Sequence, residues 1–399
     1  MGNQRQWNLW MRWVMYNDIN FTPSQKLPYI SNLKSTPFLK KVFIIAALLL
    51  FCVTCFAGEK DSTHHTWHKN DKVDIRLVPV LSYAPETRFL VGVGALTPFK
   101  CSYDSTTKNS LIAAFVAYSQ NKQDYIYVPY QIYTKHNNYY FEGEADYYNY
   151  SYYYWGIGEK RVPKELYDVR FPKIFLNAFR KIVPHFYMGL DFYFEDDVMG
   201  ATQPDGSLAA DTVRGSTGSV TSGGGLDLLY DTRDSIFFPA HGWYIKVLSN
   251  FNYKQLGSTY NFGKVVSDIT WYHKLANPVV LAITQHNQFT WGDVPFNQLA
   301  LVGGSKQIRG YYQGYYRDDA MSYLQAEARI HLIGRVSCVA FGTVGFFGNY
   351  NTFPDSPNPV IAEGVGLRYN YVRKQHINIR LDIGYGQTEE FYLTVQESF

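Results

Sequence analysis

The sequence contains few cysteines and few charged residues. Four cysteines occur in 399 residues, and Cys52 and Cys55 both lie in an apolar segment near the N-terminus. Sequence alone does not decide whether the other two, Cys101 and Cys338, meet in the fold, and we treat them as free. Charged residues make up 18% of the chain and the net charge is +3, so no strong field for nucleic acid is expected.

Motifs for catalysis, phosphate binding and metal binding are also missing. The glycine-rich stretch 215–225 lacks the Gly-Lys-Ser/Thr of a phosphate-cradling loop and is predicted to be a mobile loop, and 303–306 fails the same test. His64, His65 and His68 lie close together, but no acid or cysteine completes a metal-ligand spacing. No Ser/His/Asp set stands out. We therefore expect no enzymatic activity, no cofactor and no metal site.

Aromatic residues are abundant instead. They make up 18% of the chain, with 35 Tyr and 27 Phe. Strand-forming residues dominate, and long blocks of the helix formers Ala, Glu, Lys and Leu are absent. This composition disfavours a helical protein and is unusual for a cytosolic one.

A secretory signal is predicted near the N-terminus. A basic pair precedes the apolar run 42–51, and Cys55 and Ala57 stand at the −3 and −1 positions of a cleavage site. The run is short for a membrane-spanning helix, which disfavours the competing interpretation of a transmembrane anchor. We expect residues 1–57 to be an N-terminal extension plus a signal peptide at 39–57.

Period-two alternation is the pattern that decides the fold class. In the segment 377–385, Ile, Leu and Tyr occupy one face, while Asn, Arg, Asp and Gly occupy the other. The segment 323–332 repeats the pattern, with Leu, Ala and Ile alternating with polar and charged residues. Successive side chains of a strand point to opposite faces. Segments of about 10 residues with this alternation are typical of transmembrane barrels, because only a closed sheet satisfies its backbone in lipid.

The number and spacing of these segments predict an all-β, antiparallel transmembrane barrel of about 16 strands over residues 74–399. A short periplasmic linker is expected at 58–73. Long connectors follow odd-numbered predicted strands, at 148–166, 196–223, 292–319 and 348–359. Short turns follow the even-numbered strands. Outer-membrane barrels have this asymmetry, with the long loops on the extracellular side.

Four segments occur in an order and spacing that resemble a known family. They are 230–244, 308–311, 324–329 and the C-terminal segment 391–399, which ends in Phe. Together they resemble the bacterial surface antigen family, the barrel shared by BamA/TamA-type assembly proteins and two-partner secretion transporters. The resemblance extends over essentially all of 74–399.

The resemblance implies a loop-lock motif. Ile308, Arg309, Gly310 and Tyr311 would lie at the tip of a long extracellular loop that is folded into the lumen. A guanidinium in a confined lumen needs an acid, and Glu327 on the predicted lumenal face is the expected partner of Arg309. Gly310 would permit a tight turn, and Tyr311 would pack against the barrel wall.

One lumenal position departs from the family pattern. In the segment 341–345, Thr343 stands where the family has an aspartate. A threonine can accept a hydrogen bond but cannot neutralise Arg309. The loop lock is therefore expected to depend on Glu327, with Thr343 as a weaker lumenal partner. Asp382 is lumenal by parity and could substitute if it lies within reach.

The two ends of the predicted barrel suggest a seam. Pro79 cannot donate to a strand ladder, and Phe399 ends the last predicted strand. If the barrel closes by pairing its first and last strands, Pro79 would weaken the seam, and the resemblance implies that insertases of the family use such a seam as a lateral gate. A bulge without functional meaning is the competing interpretation of Pro79.

The functional expectation also follows from the resemblance. It implies an integral outer-membrane protein of a Gram-negative-type bacterium that assists protein or lipid insertion or transport. Family members that do so usually carry periplasmic POTRA domains, and the linker 58–73 is too short for one. The alternative is a passive channel or structural surface antigen without translocase activity. Expected partners are outer-membrane lipid and a polypeptide substrate or periplasmic protein, and no nucleic acid.

Overall fold

A computed structural model provides the fold. It describes residues 75–84, 86–102, 104, 106–349, 353, 359–373, 376–395, 397 and 399. The predicted signal peptide at 39–57, the linker at 58–73 and the histidine cluster lie outside the described residues. Within the described part, no helix has the length and apolar character needed to cross a membrane.

The described chain forms one antiparallel sheet of 16 strands in sequence order, plus a separate two-stranded sheet, β12–β13. The strands are β1 Arg76–Ala84, β2 Arg88–Phe99, β3 Ser110–Ser119, β4 Asp124–Tyr133, β5 Tyr139–Tyr154, β6 Glu165–Val183, β7 Phe186–Thr202, β8 Ser219–Asp231, β9 Gly242–Asn252, β10 Phe262–Ala276, β11 Val279–Gly292, β12 Ala300–Leu301, β13 Arg317–Asp318, β14 Ala320–Ile333, β15 Val336–Gly348, β16 Val360–Val372, β17 Ile377–Tyr385 and β18 Glu389–Val395. The prediction of an all-β barrel of about 16 strands is confirmed.

Many apolar side chains of the sheet lie on the outside, and many of its polar and charged side chains are buried inside. In β14, Leu324 is 49% exposed, whereas Gln325 and Glu327 are completely buried. In β16, Val365 is 58% exposed and Arg368 is 1% exposed. This arrangement is the reverse of a soluble domain and is that of a barrel whose outer face contacts lipid.

The two ends of the barrel differ in the length of their connections. We call the end where β1 begins and β18 ends the turn end, and the opposite end the loop end. The longest turn-end connections are 100–109 and 232–241, while the loop end carries 203–218 and the 27-residue segment 293–319, called the plug loop below. The predicted asymmetry between long loops and short turns is therefore present.

Two predicted connectors are shorter than the sequence suggested. The tyrosine-rich stretch after residue 147 continues β5, because it stays paired with β6 up to Tyr154 opposite Glu165. The predicted mobile loop 215–225 is wrong from residue 219 onward, since these residues belong to β8. Glycine is required there: a Cβ on Gly225 would lie 1.5 Å from the carbonyl oxygen of Ser249 on β9.

The sheet is not closed by a backbone ladder. Among the described residues, β1 pairs only with β2 and β18 pairs only with β17. The hydroxyl of Tyr371 on β16 donates to the carbonyl of Leu77 on β1 at 2.8 Å and so links the two edges. We call the region between β1 and β18 the seam.

Candidate functional site: the plug loop and the seam

The plug loop carries Arg309 into the barrel lumen. The guanidinium donates through Nη2 to Oε2 of Glu327 at 2.6 Å and through Nη1 to Oδ2 of Asp382 at 2.5 Å. It also lies 3.4 Å from the centre of the Phe341 ring. All three charged side chains have no solvent exposure. Two carboxylates and one aromatic face thus fix the position of Arg309 by charge, direction and stacking.

Ion pairs continue from this contact to the end of the chain. Oε1 of Glu327 accepts from Nε of Arg329 at 2.8 Å, and Oδ1 of Asp382 accepts from Nη1 of Arg368 at 2.5 Å. Nε of Arg368 donates in turn to Oε2 of Glu397 at 2.7 Å. The tip of the plug loop and the segment after β18 therefore belong to one buried network.

This network is rich in buried charge. It contains four arginines and three carboxylates: Arg309, Arg329, Arg368, Arg380, Glu327, Asp382 and Glu397. The arginines are at most 1% exposed. Charges removed from water are tolerated only when they are paired, and loss of one partner leaves an uncompensated charge in the interior. Each member therefore depends on the others for its place.

The backbone at the plug tip approaches the barrel wall closely. Gly310 has a φ of +116°, and a Cβ there would lie 2.5 Å from the carbonyl carbon of Tyr385. On the wall, a Cβ on Gly384 would lie 2.6 Å from the carbonyl carbon of Arg309. Glycine on both sides of the contact lets the two main chains touch. The neighbouring Ile308 is fully buried and also has a positive φ of 43°.

Thr343 and Tyr311 occupy different surroundings from Arg309. Thr343 is buried in the lumen, but its hydroxyl donates to Oε1 of Gln325 at 2.9 Å. Among the described residues, the acids that bind Arg309 are Glu327 and Asp382, and Thr343 is not a partner. Tyr311 packs in a buried apolar cluster on the barrel wall. The second acid of the lock therefore comes from β17 instead of β15.

Phe399 does not pair with the strand that contains Pro79. Its main-chain oxygen accepts from Nη2 of Arg329 at 3.0 Å, so it lies against β14 beyond the end of β18. Pro79 shares a cavity of about 360 Å³ with Leu393 and Val395 at the seam. The predicted seam role of Pro79 and Phe399 stays a prediction.

The plug loop contacts both sides of the seam. On the β18 side, the hydroxyl of Tyr392 accepts from the N–H of Gly310 at 3.1 Å, and the N–H of Thr388 donates to the Gly310 carbonyl at 3.1 Å. On the β1 side, the Tyr312 hydroxyl lies beside the carboxylate of Glu86 in the β1–β2 turn. Burial raises the pKa of the Glu86 carboxyl. The plug loop thus spans the seam.

The base of the plug loop is held on another wall of the barrel. Nε2 of Gln298 donates to Oε1 of Glu195 at 2.6 Å, and Nδ2 of Asn297 donates to Oδ2 of Asp197 at 2.5 Å, both on β7. Lys264 on β10 donates to Oε1 of Gln298 at 2.7 Å. The loop is consequently fixed at its base as well as at its tip.

Comparison with known families decides what kind of barrel this is. Residues 98–395 match the Omp85 superfamily domain. The chain belongs to the Omp85 superfamily. The expected resemblance to the assembly and secretion barrels is confirmed, and the protein is an outer-membrane β-barrel. No curated protein matches the sequence.

Solved structures show the same fold for this Omp85 barrel. BamA from Haemophilus ducreyi lacking POTRA domains 1–3 is similar with a TM-score of 0.53 and 13% identity, covering 90% of this chain and 77% of that one. CdiB from Acinetobacter baumannii has a TM-score of 0.51 and 13% identity, covering 79% and 62%. CdiB from Escherichia coli has a TM-score of 0.51 and 10% identity, covering 82% and 67%. The chain thus spans less than two thirds of the first CdiB.

Sequence reasoning missed several members of the Omp85 site. Alternation already places Arg380 on the polar face of 377–385, and the same parity puts Arg368 of β16 inside, but the sequence motifs do not include either residue in the site. Tyr392 and Gly384 offered no comparable signal, because their roles depend on how the plug loop folds back. The functional role of the loop-lock motif and of Pro79 stays a prediction.

Proposed function

We propose that this Omp85 barrel helps a polypeptide to insert into or cross the outer membrane, and that the seam is its route. The observation that carries the proposal is the missing ladder between β1 and β18 among the described residues. Unpaired strand edges present N–H and C=O groups that bind an added strand. In hydrocarbon such groups need a partner, so an incoming strand would be stabilised there.

The plug loop would act as the latch of this route. It contacts the β1–β2 turn through Tyr312 and β18 through Gly310. Opening the seam separates these two sides, so it requires loss of at least one set of plug contacts. Binding of a substrate at the seam would offset that loss with new backbone hydrogen bonds.

A cross-link across the seam tests the proposal. Val80→Cys and Leu393→Cys lie on facing sides of the seam cavity, and the two native thiols of the described residues are removed by Cys101→Ser and Cys338→Ser. A bismaleimide that joins the new pair should abolish complementation in a strain depleted of the protein, measured as the level of other outer-membrane barrels and secreted proteins. The uncross-linked double variant serves as control. Full complementation by the cross-linked protein contradicts the proposal.

A passive channel or structural surface antigen is the second candidate. The polar lumen favours it, because Lys173 contacts Glu144 at 2.5 Å and Lys246 contacts Glu142 at 2.8 Å on the inner wall. Planar-bilayer conductance of the wild type and of Arg309→Ala tests this alternative. A steady wild-type conductance, with no change in other barrels on depletion, would replace the first proposal.

A further inference from the structure

A cavity of about 900 Å³ opens at the turn end of the barrel. Its walls come from four turn-end connections and the adjoining strand ends, including 106–109, 233–240 and 334–335. The volume is within the range of about 300 to 1,000 Å³ that protein ligand sites occupy. This cavity is separate from the contacts of the plug loop and from the cavity at the seam.

The charge of this cavity has one predominant sign. Its lining contains five Lys and Arg side chains, two histidines and a single acid, Asp234; the Lys and Arg residues, which we call the basic mouth, are Lys100, Lys108, Arg233, Arg335 and Arg373. The Asp234 carboxylate is already hydrogen-bonded within its own connection. Its Oδ1 accepts from the main-chain N–H groups of Ala240 at 2.9 Å and His241 at 3.2 Å. Asp234 therefore stabilises the connection 232–241 and does not bind the basic residues.

Two of the basic side chains, Lys108 and Arg233, are paired with a carboxylate. Asp231, at the end of β8, contacts Lys108 at 2.7 Å and Arg233 at 2.9 Å. One carboxylate thus serves two cations. Lys100 and Arg335, from two other connections, are half-buried and have no carboxylate partner among the described residues. The cavity therefore keeps an excess of positive charge.

Unpaired acceptors lie in the same walls. Oδ1 of Asn109 and Oδ1 of Asn370 are buried and have no hydrogen-bond partner in the described structure. Both residues line the cavity. Buried polar groups without partners are rare and call for a ligand or solvent that satisfies them. The ligand that fits has carboxylates for Lys100 and Arg335 and N–H donors for the two asparagines.

We propose that the basic mouth binds an acidic polypeptide segment that reaches the barrel from the turn end. A peptide supplies carboxylates from its side chains and N–H groups from its main chain, whereas an anion such as chloride or sulfate supplies acceptors alone. A concave basic cavity also concentrates field lines and speeds the capture of an acidic partner. The inference goes beyond the proposed route through the seam, because the binding needs no opening of the barrel.

Fluorescence anisotropy on the full chain in detergent tests this site. The probe is a short fluorescein-labelled peptide of alternating Glu and Gly, and a Gln/Gly peptide of equal length is the neutral control. The double variant Lys100→Ala with Arg335→Ala should raise the Kd for the acidic peptide about tenfold or more. The matched control is Lys160→Ala with Lys254→Ala, which removes the same charge from exposed loop-end residues and should leave the Kd within about twofold.

Charge reversal keeps the test decisive. Lys100→Glu with Arg335→Glu should bind a Lys/Gly peptide in place of the Glu/Gly peptide, with far-ultraviolet circular dichroism confirming the folded barrel. Equal weakening by the mouth and control variants, or no binding by the wild type, overturns the proposal. Displacement of the peptide by inorganic phosphate beyond the effect of NaCl at equal ionic strength also overturns it in favour of a simple anion site. Because seam cross-linking leaves the mouth intact, the Val80–Leu393 cross-linked protein should still bind the peptide.

Discussion

Arg309 and Asp382 are separated by 73 positions in the sequence, yet their side chains meet at 2.5 Å inside the barrel. The contact joins the tip of the plug loop to β17, the neighbour of the seam strand β18. Through Asp382 and Arg368 it reaches Glu397, beyond the end of β18. The conformation of the plug loop and the position of the chain end are therefore linked by charge.

Removing the cation of the plug tip should destabilise the barrel. Arg309→Ala leaves the carboxylates of Glu327 and Asp382 without their shared partner, and we expect a loss of about 3 to 5 kcal/mol. Arg309→Lys keeps the charge but cannot contact both carboxylates in the same geometry. Its stability should therefore lie between those of the wild type and Arg309→Ala. Urea unfolding followed by tryptophan fluorescence measures both. Equal stability of the alanine variant and the wild type would show that the network does not hold the plug loop.

Substitutions at Asp382 and Thr343, the two candidate second partners of Arg309, should differ sharply in their effect on stability. Asp382→Asn removes a charge that contacts both Arg309 and Arg368, and we expect a loss of more than about 2 kcal/mol. Thr343→Val removes only the hydrogen bond to Gln325, worth about 1 kcal/mol. The same unfolding measurement ranks them. A larger effect at Thr343 would place the second contact of the plug tip on β15.

Because the plug tip lies so close to β17, a single added methyl group on β17 should displace the plug loop. Gly384→Ala places a Cβ 2.6 Å from the Arg309 carbonyl carbon, so the plug tip must move. Limited proteolysis should then cut the plug loop faster than in the wild type. Gly342→Ala is the matched control on a neighbouring wall, because a Cβ there meets nothing within 4 Å. Identical cleavage rates for both variants would contradict the observed contact.

Glu86 should make stability depend on pH. Burial raises the pKa of its carboxyl above the ordinary value, and its Oε2 has no hydrogen-bond partner in the described structure. The folded state therefore holds the proton more tightly than the unfolded state, and stability falls as pH rises from the ordinary carboxyl range through the raised pKa. Glu86→Gln keeps an acceptor for Tyr312 and should remove this component.

The measurement is the thermal midpoint between about pH 4 and pH 8. Toward pH 8 the Glu86→Gln variant should be more stable than the wild type by about 1 kcal/mol or more. Asp205→Asn, at an exposed loop-end position, is the control for general charge effects. Parallel pH curves for the wild type and Glu86→Gln would show that the raised pKa has no bearing on folding.

The sequence alone determined the class of fold, because a period of two residues leaves little freedom once one face must contact lipid. Leu324, Glu327 and Asp382 each lie on the face that parity assigns. It also indicated the contact between Arg309 and Glu327, since both belong to short motifs in a recognisable order. It placed strand ends less well at Tyr154 and Gly225, where pairing with neighbouring strands extends the ladder.

Only the tertiary structure decided how distant segments meet. That Asp382 and not Thr343 supplies the second acid, that Glu397 and Phe399 turn into the lumen, and that Tyr312 reaches Glu86 all depend on how the plug loop folds back. The basic mouth likewise gathers Lys100 and Arg335 from connections far apart in sequence. Alternation fixes which face a side chain occupies, but its partner across the lumen depends on barrel curvature and on loops without a periodic pattern.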